Sequence, residues 1–212
     1  MIIIIFLIFK FLITMNVYKK TLAERVAALG HELEVGYCVF ANGSVSKHKK
    51  AFASPVVGII VAKNKDANAE VGKRAVMMTL PVVRKAWANR EIELGVCNDF
   101  DGQQNTKAVL EKAAELGIDV PAFKYCAEFC CEGINAGEAY LPAEQELLEA
   151  CKRISAVNET CFELGVPRFN GIYLSSSEHN KERALRVRVE KLEKQVYAKT
   201  YGGDFVRAFV AL

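Results

Sequence analysis

The stretch Tyr37-Cys38-Val39-Phe40-Ala41-Asn42-Gly43-Ser44-Val45-Ser46 places two short runs of strand-forming residues on either side of an Asn-Gly pair. Asn-Gly supplies the two positive-φ positions of a type I′ turn, so the stretch predicts a β-hairpin. Downstream, Val56 to Ala62 is a continuous apolar run with β-branched residues and reads as a buried strand. Ala75 to Leu80 reads as another, ending before Pro81. The first half of the chain is therefore rich in strands.

Helical periodicity then takes over. Asn105 to Leu116 puts Ala108, Val109, Ala113 and Leu116 on one face, and Gly117 closes it. A second helix follows Pro121 through Cys131. A third starts at Pro142 and carries Leu147, Leu148, Cys151 and Ile154 on one side. Its periodicity continues through Val157, Cys161 and Leu164 to Gly165, two residues before Pro167, which predicts one long helix. Strands return at Gly171 to Leu174, and Leu185, Val187 and Val189 then alternate with Arg186, Arg188 and Glu190, giving one wet and one dry face. A turn at Lys191 to Lys194 leads to a strand over Gln195 to Tyr201. Gly202-Gly203 precedes a closing strand over Asp204 to Val210. Strands, helices and strands again predict an α+β domain whose two ends meet in one sheet.

Ahead of the hairpin, Asn16 to Gly30 has Leu22, Val26 and Leu29 at helical spacing, and this N-terminal helix is expected to pack on the domain. Met1 to Met15 reads MIIIIFLIFKFLITM. It falls short of the roughly 20 apolar residues that a bilayer span needs, and it lacks a basic leader and a small-residue cleavage site. Two readings stay open: a targeting segment, or upstream translation ahead of a start at Met15. The chain divides into an apolar segment at 1–15, a helix and linker at 16–35, and a domain at 36–212.

At 212 residues, with 51% hydrophobic and 25% charged residues, the composition fits one ordinary globular core. A formal net charge of +3 falls well short of the basic clustering that nucleic acid requires, so nucleic acid is not expected as a partner. Seven cysteines, an odd number without paired spacing, read as free buried thiols of a chain folded in a reducing compartment.

Four groups of residues invite a chemical role. Cys126, Cys130 and Cys131 suggest metal or redox chemistry, but the histidines His31, His48 and His179 lie far off in sequence, and a buried structural role is the expectation. Ser175, Ser176, Ser177 and Glu178 beside His179 hold the side-chain types of a nucleophile, an acid and a base. Neighbours in a strand face opposite ways, so they read as residues that fix the turn after a strand. Asp99, Asp101, Gly102 and Asn105 read as a helix cap and turn rather than a calcium loop. Arg186, Arg188, Lys199 and Arg207 read as a solvated strand face with some attraction for anions. No catalytic residue, metal or cofactor is expected.

Several short segments together resemble a family of bacterial and phage domains related to the C-terminal domain of the collagen-like adhesin Lcl. These are Gly36 to Ser44 with Pro55 to Ile60, Asp101-Gly102 with Asn105-Thr106, Tyr125-Cys126, Ala139-Tyr140-Leu141-Pro142 with Glu146-Leu147, Tyr173 to Glu178, and Val206-Arg207-Ala208-Phe209. The resemblance implies a C-type-lectin-like fold, with small antiparallel sheets flanked by two or three helices and with paired terminal strands. On that basis Asn42, Gly43, Tyr140, Leu141, Pro142, Tyr173, Ser175, Ser176, Ser177, Glu178 and Arg207 are structural motif positions. The chain departs from the family where Ala139 and Leu174 replace large aromatics, which removes surface for stacking on a sugar. Calcium-dependent sugar binding is not expected.

The resulting expectation is a non-enzymatic binding or structural module of a phage virion or tail. A bacterial cell-surface adhesin is the near alternative, favoured if residues 1–15 are a targeting segment. An enzyme resembling the formylglycine-generating oxidases is the alternative from another class. A protein or glycan surface is the expected ligand, contacted through Arg168, Asn170, His179 and Asn180. The N-terminal helix is a possible dock for other virion proteins, and a homo-oligomer is possible.

Overall fold

The computed structural model describes residues 20–63, 75–96 and 98–212. The apolar segment at 1–15 and residues 16–19, where the N-terminal helix is expected to begin, lie outside the described residues. After helix α1 (Leu22–Leu29) come strands β1 (Cys38–Phe40), β2 (Val45–Ser46), β3 (Val56–Ala62), β4 (Val76–Thr79) and β5 (Val83–Arg84). The middle of the chain holds α2 (Gly102–Leu116), α3 (Pro121–Glu128), β6 (Ala139–Tyr140), α4 (Glu144–Cys151) and α5 (Ile154–Leu164). The last part is β7 (Ile172–Glu178), β8 (Arg183–Arg188), a 3-10 turn at Val189–Lys191, β9 (Glu193–Ala198), β10 (Phe205–Val206) and β11 (Phe209–Ala211). The fold is α+β, with five α-helices among the described residues.

The first sheet has the order β2-β1-β3-β4-β11-β6 and all its pairings are antiparallel. The second, β5-β10-β7-β8-β9, is antiparallel except where β10 runs parallel to β7. Residues paired across strands share a face, so Ile59, Met78 and Phe209 line one side of the first sheet and Ile60, Met77 and Val210 the other. Both rows are fully or almost fully buried, each in its own hydrophobic cluster. This double burial is why β3 is apolar without alternation. The first cluster joins the sheet to α1, α2 and α3, with Trp87 edge-on to Phe123 at 4.8 Å between ring centroids. The second joins it to α4, α5 and the second sheet through Leu147, Val157, Tyr173 and Val187.

Four expectations need correction. The hairpin forms between β1 and β2, but its turn is not type I′. Gly43 N–H donates to the Phe40 carbonyl at 2.8 Å and Phe40 N–H to the Ser44 carbonyl at 2.9 Å. Gly43 has φ +91° while Asn42 keeps a negative φ and accepts the Ser44 N–H at its Oδ1, 3.0 Å away. A longer loop with one left-handed glycine replaces the two-residue turn.

The long helix read from Pro142 to Gly165 is two helices. The chain breaks at Lys152-Arg153, where Arg153 has φ −126°. Neither glycine nor proline marks the break. The apolar stripe runs through it because α4 and α5 face the same core, while α4 lies along β3, β7 and β8 and α5 turns onto β3. Tertiary packing sets this bend, and local propensity does not.

The closing strand is also two. Phe205–Val206 belongs to the second sheet and Phe209–Ala211 to the first, so the chain crosses between sheets at Arg207-Ala208. Strands from both ends of the chain share the first sheet, but β3 and β4 separate β1 from β11, so the terminal strands do not pair directly.

Helix α1 is part of the packed unit. Thr21 and Glu24 form a capping box. Leu22 and Val26 enter the first cluster, and Leu22 N–H donates to Glu138 at 2.7 Å. A Cβ on Gly43 would sit 2.6 Å from the Cβ of Arg25, so the hairpin tip rests directly on this helix.

Candidate functional site

The second half of β7 shows what the serine run does. Ser175 Oγ donates to the Leu185 carbonyl at 2.7 Å, on the neighbouring strand. Ser176 N–H donates to the Pro142 carbonyl at 2.8 Å, while Ser176 Oγ accepts from Asn105 Nδ2 at 3.0 Å. Ser177 Oγ accepts the N–H of Glu144, the first residue of α4, at 3.1 Å. All three serines are fully buried. They tie β7 to β8, α2 and α4, so their bonds reach across the fold, whereas the sequence alone predicts that they fix the turn that follows.

Glu178 ends this run. Its carboxylate accepts the backbone N–H groups of Leu94, Gly95 and Val96 at 2.9, 2.6 and 3.1 Å, and pairs with the Lys199 ammonium. Lys199 also donates to the Ile92 carbonyl at 2.6 Å. The side chains are 0% and 4% exposed for Lys199 and Glu178, so this ion pair is interior, and burial lowers the Lys199 pKa. A carboxylate needs donors when it is desolvated, and a loop of three consecutive amides supplies them.

Glu146 forms a second buried carboxyl node. It accepts from Ala143 N–H at 2.8 Å, Gly102 N–H at 3.1 Å and Tyr140 Oη at 2.7 Å. It thereby satisfies orphan amides at the starts of both α4 and α2. Gly102 is required there, since a Cβ would lie 2.5 Å from the Leu141 carbonyl oxygen. Burial pushes the Glu146 carboxyl up to about 7, against these three hydrogen bonds, which pull it down. Asp101 caps α2 by accepting Gln104 N–H at 2.8 Å, in line with the capping role read from sequence.

The four basic residues do not form one solvated face. Lys199 and Arg207 are buried. Arg207 donates to the Pro167 carbonyl at 2.9 Å and contacts Met78 Sδ at 3.1 Å, holding the crossing between the sheets. Arg186 pairs with Asp204 at 2.9 Å and stacks 3.7 Å from the Tyr197 ring centroid; Arg188 pairs with Glu193 at 3.7 Å. Local alternation cannot reveal this, because the bulge in β7 between Leu174 and Glu178 and the strand crossing decide which side each cation meets.

The thiols divide. Cys38, Cys126, Cys151 and Cys161 are buried, and burial raises their pKa values, to about 11 for Cys38 and about 12 for Cys151. Cys130 and Cys131 are exposed, which corrects the expectation that they are core residues. They follow the last turn of α3, where the chain leaves the core. Cys97 lies outside the described residues.

The four residues expected to contact a ligand are all exposed but do not meet along β7. Arg168 and Asn170 precede its start and His179 and Asn180 follow its end, so the seven-residue strand holds the two pairs about 20 Å apart. Asn180 has a local role, its Oδ1 accepting the N–H groups of Glu182 and Arg183 at 3.0 and 2.9 Å. At the other end, Phe169 is buried and anchors the segment, with its N–H donating to Asn158 Oδ1 at 2.7 Å. The Arg168 guanidinium lies 5.7 Å from the ring centroid of Phe162, which is 71% exposed. Sequence reading missed Phe162. The signal was present, because Phe162 follows core-facing Cys161 and so falls on the wet side of an amphipathic helix.

No protein-family model and no curated protein matches the chain. Among solved structures, a fimbrial protein from Bacteroides ovatus superposes with a TM-score of 0.64 at 17% sequence identity, over 86% of this chain and 49% of that one. What the two share is a fold. The chain spans about half the length of the Bacteroides structure, so the α+β unit described above recurs within a longer polypeptide.

Proposed function

We propose that the chain is a non-catalytic structural and recognition module of the adhesion type, built on a C-type-lectin-like fold. Its contact surface lies beside the start of β7 and is formed by Phe162 of α5 with Arg168 and Asn170, and its ligand is a protein or glycan surface. The observation that carries this reading is the 71% exposure of Phe162 beside a guanidinium that stacks toward it. Aromatic residues, Phe among them, and Arg are enriched at protein–protein interfaces. The motif residues Ser175 to Glu178 support the same reading, because their polar atoms bond the scaffold.

The fimbrial description of the Bacteroides structure supports a setting on a bacterial surface appendage. A phage virion or tail is the companion proposal and rests on the sequence resemblance alone. The test is binding of labelled protein to intact bacterial cells and to a printed glycan array. Saturable binding that falls in Phe162→Ala and Arg168→Ala but not in His179→Ala supports the proposal. Binding that depends on His179 and ignores Phe162 moves the surface to the other end of β7. Stoichiometric copper bound to a reactive thiol pair would replace the proposal with the oxidase reading.

A further inference from the structure

We propose that Cys130 and Cys131 form a covalent cross-linking site that joins this chain to a second copy of itself through disulfides. Free cysteine is among the most buried residue types, and the four other described cysteines follow that rule. These two are adjacent and both residues are exposed, with the Cys131 thiol partly covered, donating to the Glu132 carbonyl at 3.6 Å and raised in pKa by that burial. Their position is fixed: Cys131 N–H donates to the Ile134 carbonyl and Ile134 N–H to the Cys131 carbonyl, each at 3.1 Å, forming a small closed turn just beyond α3.

Adjacent residues cannot easily satisfy each other. Neighbouring Cα atoms across a trans peptide are about 3.8 Å apart, whereas disulfides hold their Cα atoms at about 4.4 to 6.8 Å. The thiols therefore react outward. Each buried cysteine lies behind packed side chains, so within the described residues the accessible thiol that complements this pair is the same pair on another copy. A two-fold axis beside the turn would make the site complementary to itself, with Cys130 set against Cys131 of the second copy and Cys131 against Cys130 of that copy. Two antiparallel disulfides then close one symmetric link.

The oxidant is a small disulfide such as oxidised glutathione. A Cys130 thiolate attacks its S–S bond, forming a mixed disulfide and releasing one glutathione thiol. The thiolate of Cys131 on the second copy attacks the protein sulfur of that mixed disulfide, forming the interchain S–S bond and displacing the second glutathione thiol. Each of the two disulfides oxidises two protein thiols, reduces one oxidised glutathione to two thiols, and passes the two protons to those thiols.

The test incubates the full chain with oxidised glutathione and resolves it on a non-reducing gel, with intact-mass and peptide mapping. The expected result is a covalent dimer that dithiothreitol collapses and whose cross-linked peptides contain Cys130 and Cys131. Cys130→Ser/Cys131→Ser should lose that dimer while keeping the circular dichroism spectrum of the parent. A monomer lighter by two hydrogens at these residues would show internal closure and overturn the proposal. A stable glutathione adduct without dimer, or a dimer mapped to other cysteines, would overturn it as well.

Discussion

The Lys199 ammonium lies 4.5 Å from the centroid of the Trp87 ring, and the Lys199 carbonyl accepts the N–H groups of Trp87 and Ala88 at 3.0 and 3.1 Å. Trp87 in turn donates its indole N–H to the Ser175 carbonyl at 3.2 Å. The segment that follows β5 is thus fastened to the second sheet by an aromatic ring, a cation and Glu178.

Removing the cation should be costly. Lys199→Met leaves the Glu178 carboxylate buried with only its three amide donors, and breaking a buried pair costs about 3 to 5 kcal/mol. The remaining amides place the expected loss near the lower end. Urea denaturation reads it directly, and a loss below about 1 kcal/mol would mean that water reaches Glu178.

Glu146 should make stability depend on pH. Its carboxyl is raised from an ordinary value of 4.5 to about 7, so the native state binds this proton more tightly than the unfolded chain does. The contribution is full below about pH 4.5 and is lost as pH rises through about 7. Comparison with Glu146→Gln cancels the other titrating groups. The stability advantage of the parent over the variant should shrink by on the order of 1 to 3 kcal/mol between those limits. A constant difference across that window would show that the carboxyl titrates normally.

Two glycines with nearly equal φ separate strain from collision. Gly43 and Gly137 have φ +91° and +89°, but a Cβ on Gly43 meets Arg25 whereas one on Gly137 meets nothing within 4 Å. Alanine at Gly137 should cost about 1 kcal/mol of conformational strain. Alanine at Gly43 should cost about 1 to 3 kcal/mol more, from overpacking against α1. Equal melting temperatures for the two variants would separate the hairpin tip from the helix.

The polar residues beyond β7 should behave differently in stability and in binding. Asn180→Ala removes the acceptor of two backbone N–H groups and should lower stability by about 1 kcal/mol. Phe162→Ala and Arg168→Ala remove exposed groups and should stay within about 0.5 kcal/mol of the parent. Thermal unfolding checks all three, and destabilisation by Arg168→Ala would mean that it braces the scaffold.

Local signals located the elements well. The apolar run over Val56 to Ala62 is β3 with the same bounds, and Gly30, Gly117 and Gly165 end helices in the left-handed conformation. Features created by contact between distant segments were not legible. The α4 to α5 bend leaves the hydrophobic period unbroken, and the burial of Lys199 depends on an amide loop about 80 residues away from Glu178 in sequence. Charged residues were read as wet because charge usually means solvent. Here Lys199 and Arg207 lie in the interior, and their partners come from other parts of the chain.

The crossing at Arg207-Ala208 sets the order in which the protein can be completed during synthesis. Strand β11 lies between β4 and β6 in the first sheet, so until Phe209 to Ala211 has left the ribosome those two strands have no neighbour to join them. The nascent chain therefore emerges with a split sheet, presenting open amide edges beside Met77 and Met78 until β11 has been made. Such edges invite pairing with other chains. Yield in cells should accordingly follow the supply of holding chaperones more closely than the equilibrium stability of the finished fold.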